Sequence, residues 1–190
     1  MEGKGLPERI KKAAVAEIKK YGFRRFTMDD LAARLKISKK TIYKTFASKQ
    51  ELITAILTDE FTQEAEKMTT IVEKAEHWFD RLSELLTLCS AGRFSPALLE
   101  EANQFFPEQA KLIENRYNII RQHYTYLLEE GARLGHIQAD VNIHLLVMVM
   151  DELFNQNCTR IIEQSKGMST EQRVEELTKI LFFGTIRRDW

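Results

Sequence analysis

An all-α fold is predicted for this chain by three observations. Apolar residues recur at spacings of three and four along most of its length, and no stretch alternates apolar and polar residues long enough to argue for a sheet. Only 8 Gly and 3 Pro occur among 190 residues, which fits long helices better than many turns. Hydroxyl residues stand at the starts of several periodic segments, where helix caps belong. The apolar fraction of 44% suffices for a core, and 29% charged residues mark a soluble globular chain.

The elements follow in order. A first helix over about 7–21 has Pro7 in its first turn, an inner stripe of Ile10, Ala14, Ile18 and Tyr21, and Gly22 as its stop. Thr27 caps a short helix that holds Leu31, Ala32 and Leu35, and Asp30 completes a capping-box pattern. Lys36 and Ile37 form a tight turn. Ser38 caps a second short helix with Ile42 and Phe46 on its inner face. Ser48 caps a long fourth helix, in which Leu52, Ile53, Ile56, Leu57, Phe61, Ala65, Met68 and Val72 recur at helical spacing. Five more helices are predicted over about 75–90, 96–104, 108–134, 141–165 and 170–187, about nine in all. Pro96 and Pro107 suit first-turn positions, Gly131 and Gly135 punctuate the end of the longest helix, and 134–140 and 165–170 are loops. No linker interrupts the chain. The fourth helix itself joins a small head, residues 1–48, to a larger body, residues 49–190.

Formal charge sums to zero, yet it is divided unevenly. Residues 1–52 carry 14 Lys and Arg against 6 Asp and Glu, a net +8; the remainder carries 14 against 22, a net −8. A basic segment joined to an acidic remainder points to a polyanionic partner for the head, with nucleic acid the first candidate and a membrane surface the alternative. The N-terminus lacks the apolar run of a signal peptide, and the longest apolar run, Leu145 to Met150, is too short to span a bilayer. Cys89 and Cys158 are isolated, which fits a reduced, cytoplasmic compartment.

Residues 27–46 have the pattern of a helix-turn-helix, with small Ala32 where the two short helices meet. Lys40, Tyr43 and Lys44 share one face of the second short helix, and Lys39 lies beside Tyr43. The exposed side is thus basic with one phenol, while Ile42 and Phe46 face inward. Such a helix fits a major groove about 12 Å wide. Lysines there meet phosphates as point charges, and Ser38, Thr41 and Tyr43 offer hydroxyls to phosphates or base edges. Thr27 and Lys49 lie near helix N-termini, where N–H groups also favour phosphate oxygens. Thr27, Ser38 and Ser48 can equally serve as caps alone.

The stretch FTMDDLAARLKISKKTIYKTFASKQEL (26–52) resembles the DNA-binding segment of the TetR family of bacterial transcription regulators. The likeness rests on Thr27, Leu31-Ala32, Ile37-Ser38, Thr41-Ile42-Tyr43, Phe46, Ser48-Lys49 and Leu52, at matching spacing without a gap. The resemblance implies a homodimer, a three-helix DNA-binding head and a C-terminal body that binds a small effector. It implies that Thr27 and Lys49 hold phosphates and that Ser38, Lys39, Lys40, Thr41, Tyr43 and Lys44 face the groove. The chain departs from the family in two places. Lys36 stands in the turn where Gly is frequent, and Lys40 stands at another frequent Gly position, so Lys36 and Lys40 both bear on how the DNA is met.

In the body, Trp78, Phe79, Leu82, Leu86, Phe105, Tyr117, Ile120 and Tyr124, with His123 beside them, either line an apolar effector cavity or form an ordinary filled core. Residues 145–150 are apolar on every side, and Val174, Leu177, Ile180, Leu181 and Gly184 form a second stripe. Leu146, Met150 and Leu153 with that stripe are the predicted dimer interface, paired with their twofold copies as the resemblance suggests. Glu73 with His77 and Asp140 with His144 have i,i+4 spacing but no further ligand nearby, so no metal and no cofactor is predicted. No Gly-rich phosphate loop and no assembled nucleophile and base occur, so the chain is not read as an enzyme.

The resulting expectation is a ligand-responsive transcriptional repressor. As a homodimer it binds a pseudo-palindromic double-stranded DNA operator, and a small apolar or amphipathic effector releases it. One alternative keeps the DNA-binding head but gives the body a protein partner in place of a small molecule. Another, a helical enzyme acting on an apolar substrate, leaves the basic head without a role.

Overall fold

The computed structural model of the chain describes residues 5–74, 77–90, 94–154 and 167–183. These residues form nine helices: α1 (Leu6–Arg25), α2 (Met28–Leu35), α3 (Lys39–Thr45), α4 (Lys49–Glu73), α5 (Trp78–Ser90), α6 (Pro96–Phe105), α7 (Pro107–Arg133), α8 (Ile143–Phe154) and α9 (Thr170–Phe183). The all-α expectation is met. The predicted helix over 141–165 is described only as far as Phe154, and Cys158 and Gly184 lie outside the described residues. Among the described residues no helix is long and apolar enough to cross a membrane.

The helices distribute into two compact units, one of Met1–Thr62 and Ala97–Glu114, the other of Gln63–Pro96 and Asn115–Trp190. The core of the first holds Ile10, Ala14, Ile18, Phe23 and Phe26 from α1 and its exit, Leu31 from α2, Ile42 from α3 and Leu52, Ile53 and Leu57 from α4. Each fully buried aliphatic side chain contributes about 1.5–3 kcal/mol. Two expectations for α1 are corrected. Gly22 does not stop the helix; it kinks it, with φ 86 and ψ 166, and the last turn runs on to Arg25. Tyr21 is not on the inner stripe and stands exposed, whereas Glu17 turns inward to meet Arg34 of α2.

The second unit packs α5, α7, α8 and α9 around Trp78, Leu82, Leu85, Leu86, Ile120, Tyr124, Leu127, Leu128 and Met150. Gly131 of α7 lies against the Trp78 ring, where a Cβ would come within 2.9 Å of it. Two ion pairs are sunk into this unit. Arg116 meets Glu64 through two hydrogen bonds of 2.6 and 2.7 Å, both side chains buried. Arg81 meets both oxygens of Glu130 at 2.7 Å and also donates to the Val72 carbonyl. Burial pushes the Arg116 guanidinium down, but the hydrogen bonds and charge of Glu64 outweigh it and hold it above its ordinary range. Burial pushes the nearby Cys89 thiol up to about 12, with the Glu64 charge acting in the same direction, so it stays a protonated, inert core group.

Candidate nucleic-acid interface

Local chemistry sets each end of the two short helices. The Thr27 hydroxyl accepts from the Asp30 N–H at 3.2 Å, and the Asp30 carboxylate accepts from the Thr27 N–H at 3.0 Å, a complete capping box. Ser38 accepts from the Thr41 N–H at 3.0 Å, with the two hydroxyls 2.7 Å apart. Ser48 accepts from the Glu51 N–H at 3.0 Å and opens α4. Between α2 and α3, Lys36 adopts the left-handed conformation, φ 53, and its N–H and that of Ile37 satisfy the Ala33 and Ala32 carbonyls. This is the helix ending that Gly usually fills. Holding lysine there costs on the order of 1 kcal/mol.

α3 is pinned from behind by fully buried Ile42 and by Phe46. Its other side presents Lys39, Lys40, Tyr43 and Lys44, all exposed, with Thr41 half-buried. Tyr43 keeps 48% of its surface in solvent although the ring is large and apolar. Lys39 pairs with Asp29 of α2, an exposed contact that contributes little and that a phosphate can replace. Among the described residues, the side chains of Lys40 and Lys44 have neither an ion pair nor a hydrogen bond. Two unneutralised cations flank an exposed phenol on a helix whose back is fixed.

Lys49 is placed differently. Its ammonium donates to the carbonyls of Arg24 at 2.9 Å and Phe26 at 2.7 Å and lies over the Phe26 ring, 4.4 Å from the centroid. Desolvation lowers its pKa, opposed by the Glu101 charge. Two of its three donors therefore tie the start of α4 to the exit of α1.

The predicted effector residues are mostly well buried. Trp78, Leu82, Leu86, Tyr117, Ile120 and Tyr124 are inside the second unit. Phe79 packs edge-on against Phe182 at 5.7 Å, and His123 donates from Nδ1 to the Ile119 carbonyl at 2.8 Å. Phe105 belongs to the first unit, exposed beneath the Arg24 guanidinium. An open groove of about 700 Å³ lies between α4 and α5, lined by Ile71 and Leu88 with Thr70, Ser83, Thr87 and Lys67 among others. None of the predicted effector residues lines it.

The predicted dimer residues divide by exposure. Leu146, Met150 and Val174 are buried within this chain, Leu153, Leu177 and Leu181 are half-buried, and Ile180 is 74% exposed. α9 turns Val174, Thr178 and Phe182 inward at i, i+4 and i+8. Outward on α8 stand Leu145, Met148 and Val149, the first two more than half exposed. The sequence shows the run as apolar all round, and only packing reveals which side is left over.

Residues 10–56 match the family described as bacterial regulatory proteins, tetR family. An uncharacterised helix-turn-helix regulator of Bacillus subtilis, YvaF, is 22% identical over 94% of this chain and 95% of its own length. Among solved structures, the ketosteroid regulator KstR2 of Mycobacterium tuberculosis superposes with a TM-score of 0.76 at 17% identity over 98% of both chains. The regulator FadR of Bacillus subtilis, solved with stearoyl-CoA, superposes with a TM-score of 0.73 at 16% identity, covering 93% of this chain and 98% of its own. These two likenesses establish a shared fold.

Proposed function

We propose, on the match of residues 10–56 to the tetR family of bacterial regulatory proteins, that the chain is a transcriptional repressor of that family, which binds a pseudo-palindromic operator as a homodimer and is released by a small apolar or amphipathic effector. In this reading residues 1–48 are the DNA-binding head and residues 49–190 the effector-binding and dimerisation body. The observation that carries the proposal is the face of α3, with Lys40, Tyr43 and Lys44 outward and Ile42 and Phe46 locked behind them. Two such helices, one from each protomer, enter successive major grooves about 34–36 Å apart. Thr27 and Ser38 cap and orient the two short helices, the hydroxyls of Ser38 and Thr41 donate to phosphate oxygens, and Lys36, Lys39 and Lys49 add positive charge around the reading helix. The protein works in the cytoplasm, where its DNA is. Effector release requires that the ligand prefer a dimer whose heads are wrongly spaced.

A second reading, in which the body answers to a protein partner, is favoured by the close packing of Trp78 against Gly131 in the predicted effector set. Under it no metabolite shifts DNA affinity.

Lys44 supplies the test of the DNA-binding face. Lys44→Ala is expected to weaken binding to all duplexes alike and to reduce the slope of log affinity against log salt by about one unit. An unchanged slope would show that Lys44 meets no phosphate.

A further inference from the structure

The last turn of α1 and its exit toward α2 are held by two charged side chains within the first unit. The Glu101 carboxylate, carried by α6, accepts from the N–H of Phe23 at 2.9 Å and of Arg24 at 3.3 Å. These are the donors that the kink at Gly22 exposes. A Cβ at Gly22 would lie 2.5 Å from one Glu101 oxygen and 2.9 Å from the other, so glycine leaves the space in which the carboxylate sits. The Lys49 ammonium in turn holds the carbonyls of Arg24 and Phe26. The Phe23 and Phe106 rings meet edge-on at 6.4 Å, and Lys49 lies 5.7 Å from the Phe106 centroid. Residues 22–26 lead directly into Thr27, the cap of α2. Fixing this connector fixes the pose at which the helix-turn-helix leaves α1.

We propose that Glu101 is a positioning residue for DNA binding: from α6 it caps the broken helix at Gly22 and sets the orientation of α2 and α3 without touching DNA. The inference rests on the DNA-binding role of the α3 face. The sign of its effect separates it from electrostatics. Glu101 is an acidic group in a unit that must approach a polyanion, so by charge alone its removal would tighten binding. Positioning requires the reverse. Without the carboxylate the N–H groups of Phe23 and Arg24 lose these two hydrogen bonds, and the last turn of α1 shifts.

The test uses the full-length protein and a duplex selected from a random pool by the wild type. Glu101→Ala is expected to weaken binding of that duplex about tenfold, and Glu101→Gln, which retains one acceptor oxygen, about threefold. The salt slope should stay at the wild-type value, and amide exchange at Phe23 and Arg24 should quicken in the same order. Affinities refer to the active fraction, counted by stoichiometric titration, so a loss of folded protein does not pass for a loss of affinity. If E101A does not fold, E101Q alone decides. Wild-type or tighter affinity in the folded variants, whatever their melting temperatures, overturns the proposal. A wild type that selects no duplex overturns the DNA-binding reading and this inference with it, and the two failures are told apart by the wild-type measurement alone.

Discussion

Arg116→Ala is expected to destabilise the protein by about 3–5 kcal/mol, the cost typical of leaving one member of a buried ion pair without its partner. Arg116 and Glu64 are both buried and joined at 2.6 and 2.7 Å. The truncation leaves the buried Glu64 carboxylate without the counter-charge it is paired with. It also removes the donor that lies 3.4 Å from the Cys89 carbonyl. The double variant Glu64→Leu/Arg116→Met should recover most of the loss, because a buried pair replaced by apolar groups of similar size is often neutral or stabilising. Urea denaturation of the two variants checks both statements. A single variant within about 1 kcal/mol of wild type would mean that Glu64 reaches solvent or takes up a proton at little cost.

The second large effect concerns assembly. Leu145, Met148 and Val149 share one outward face of α8 at i, i+3 and i+4, and Ile180 stands out from α9. If the body dimerises through these helices, Leu145→Glu with Met148→Glu places two charges in the centre of the contact. The dimer dissociation constant should rise on the order of 100-fold or more, since each unpaired charge costs at least a few kcal/mol to bury. The fold of the single chain should survive, because both side chains are more than half exposed within it. Sedimentation velocity reads the assembly and far-ultraviolet circular dichroism the fold. Affinity for a two-half-site operator should fall in parallel, whereas binding to a single half-site should not. A dimer of unchanged stability would place the interface elsewhere.

What was legible in the sequence was mostly local. The caps at Thr27, Ser38 and Ser48 depend on groups three residues on, so pattern alone finds them, and the structure has all three. The outer face of α3 was equally readable, because three- and four-residue spacing and two large apolar anchors fix which side of a seven-residue helix turns inward. Lys36 shows a local rule and its exception together, a turn that demands a left-handed residue and a lysine that accepts it. What the sequence concealed was distant in the chain. Gly22 has the look of a helix stop, and only Glu101, which accepts from Phe23 seventy-eight residues earlier in the chain, turns the break into a capped kink. Tyr21 fits a helical stripe by spacing, yet buried Glu17 and its contact with Arg34 show that the inner face is rotated away from it. The apolar run in α8 had no preferred side until packing buried Leu146, Val147 and Met150 and left Leu145, Met148 and Val149 outside.

The central claim is that the α3 face reads duplex DNA as a pair, and selection from a random duplex pool tests it most directly. Wild-type protein is expected to enrich an inverted repeat whose half-site centres lie about one helical turn, 10–10.5 base pairs, or a multiple of it apart. Tyr43→Ala with Lys40→Ala is expected to lose that enrichment while retaining weak, salt-sensitive binding through the remaining basic residues of the head. Failure of the wild-type protein to enrich any sequence, or enrichment that survives the double substitution unchanged, would contradict the account.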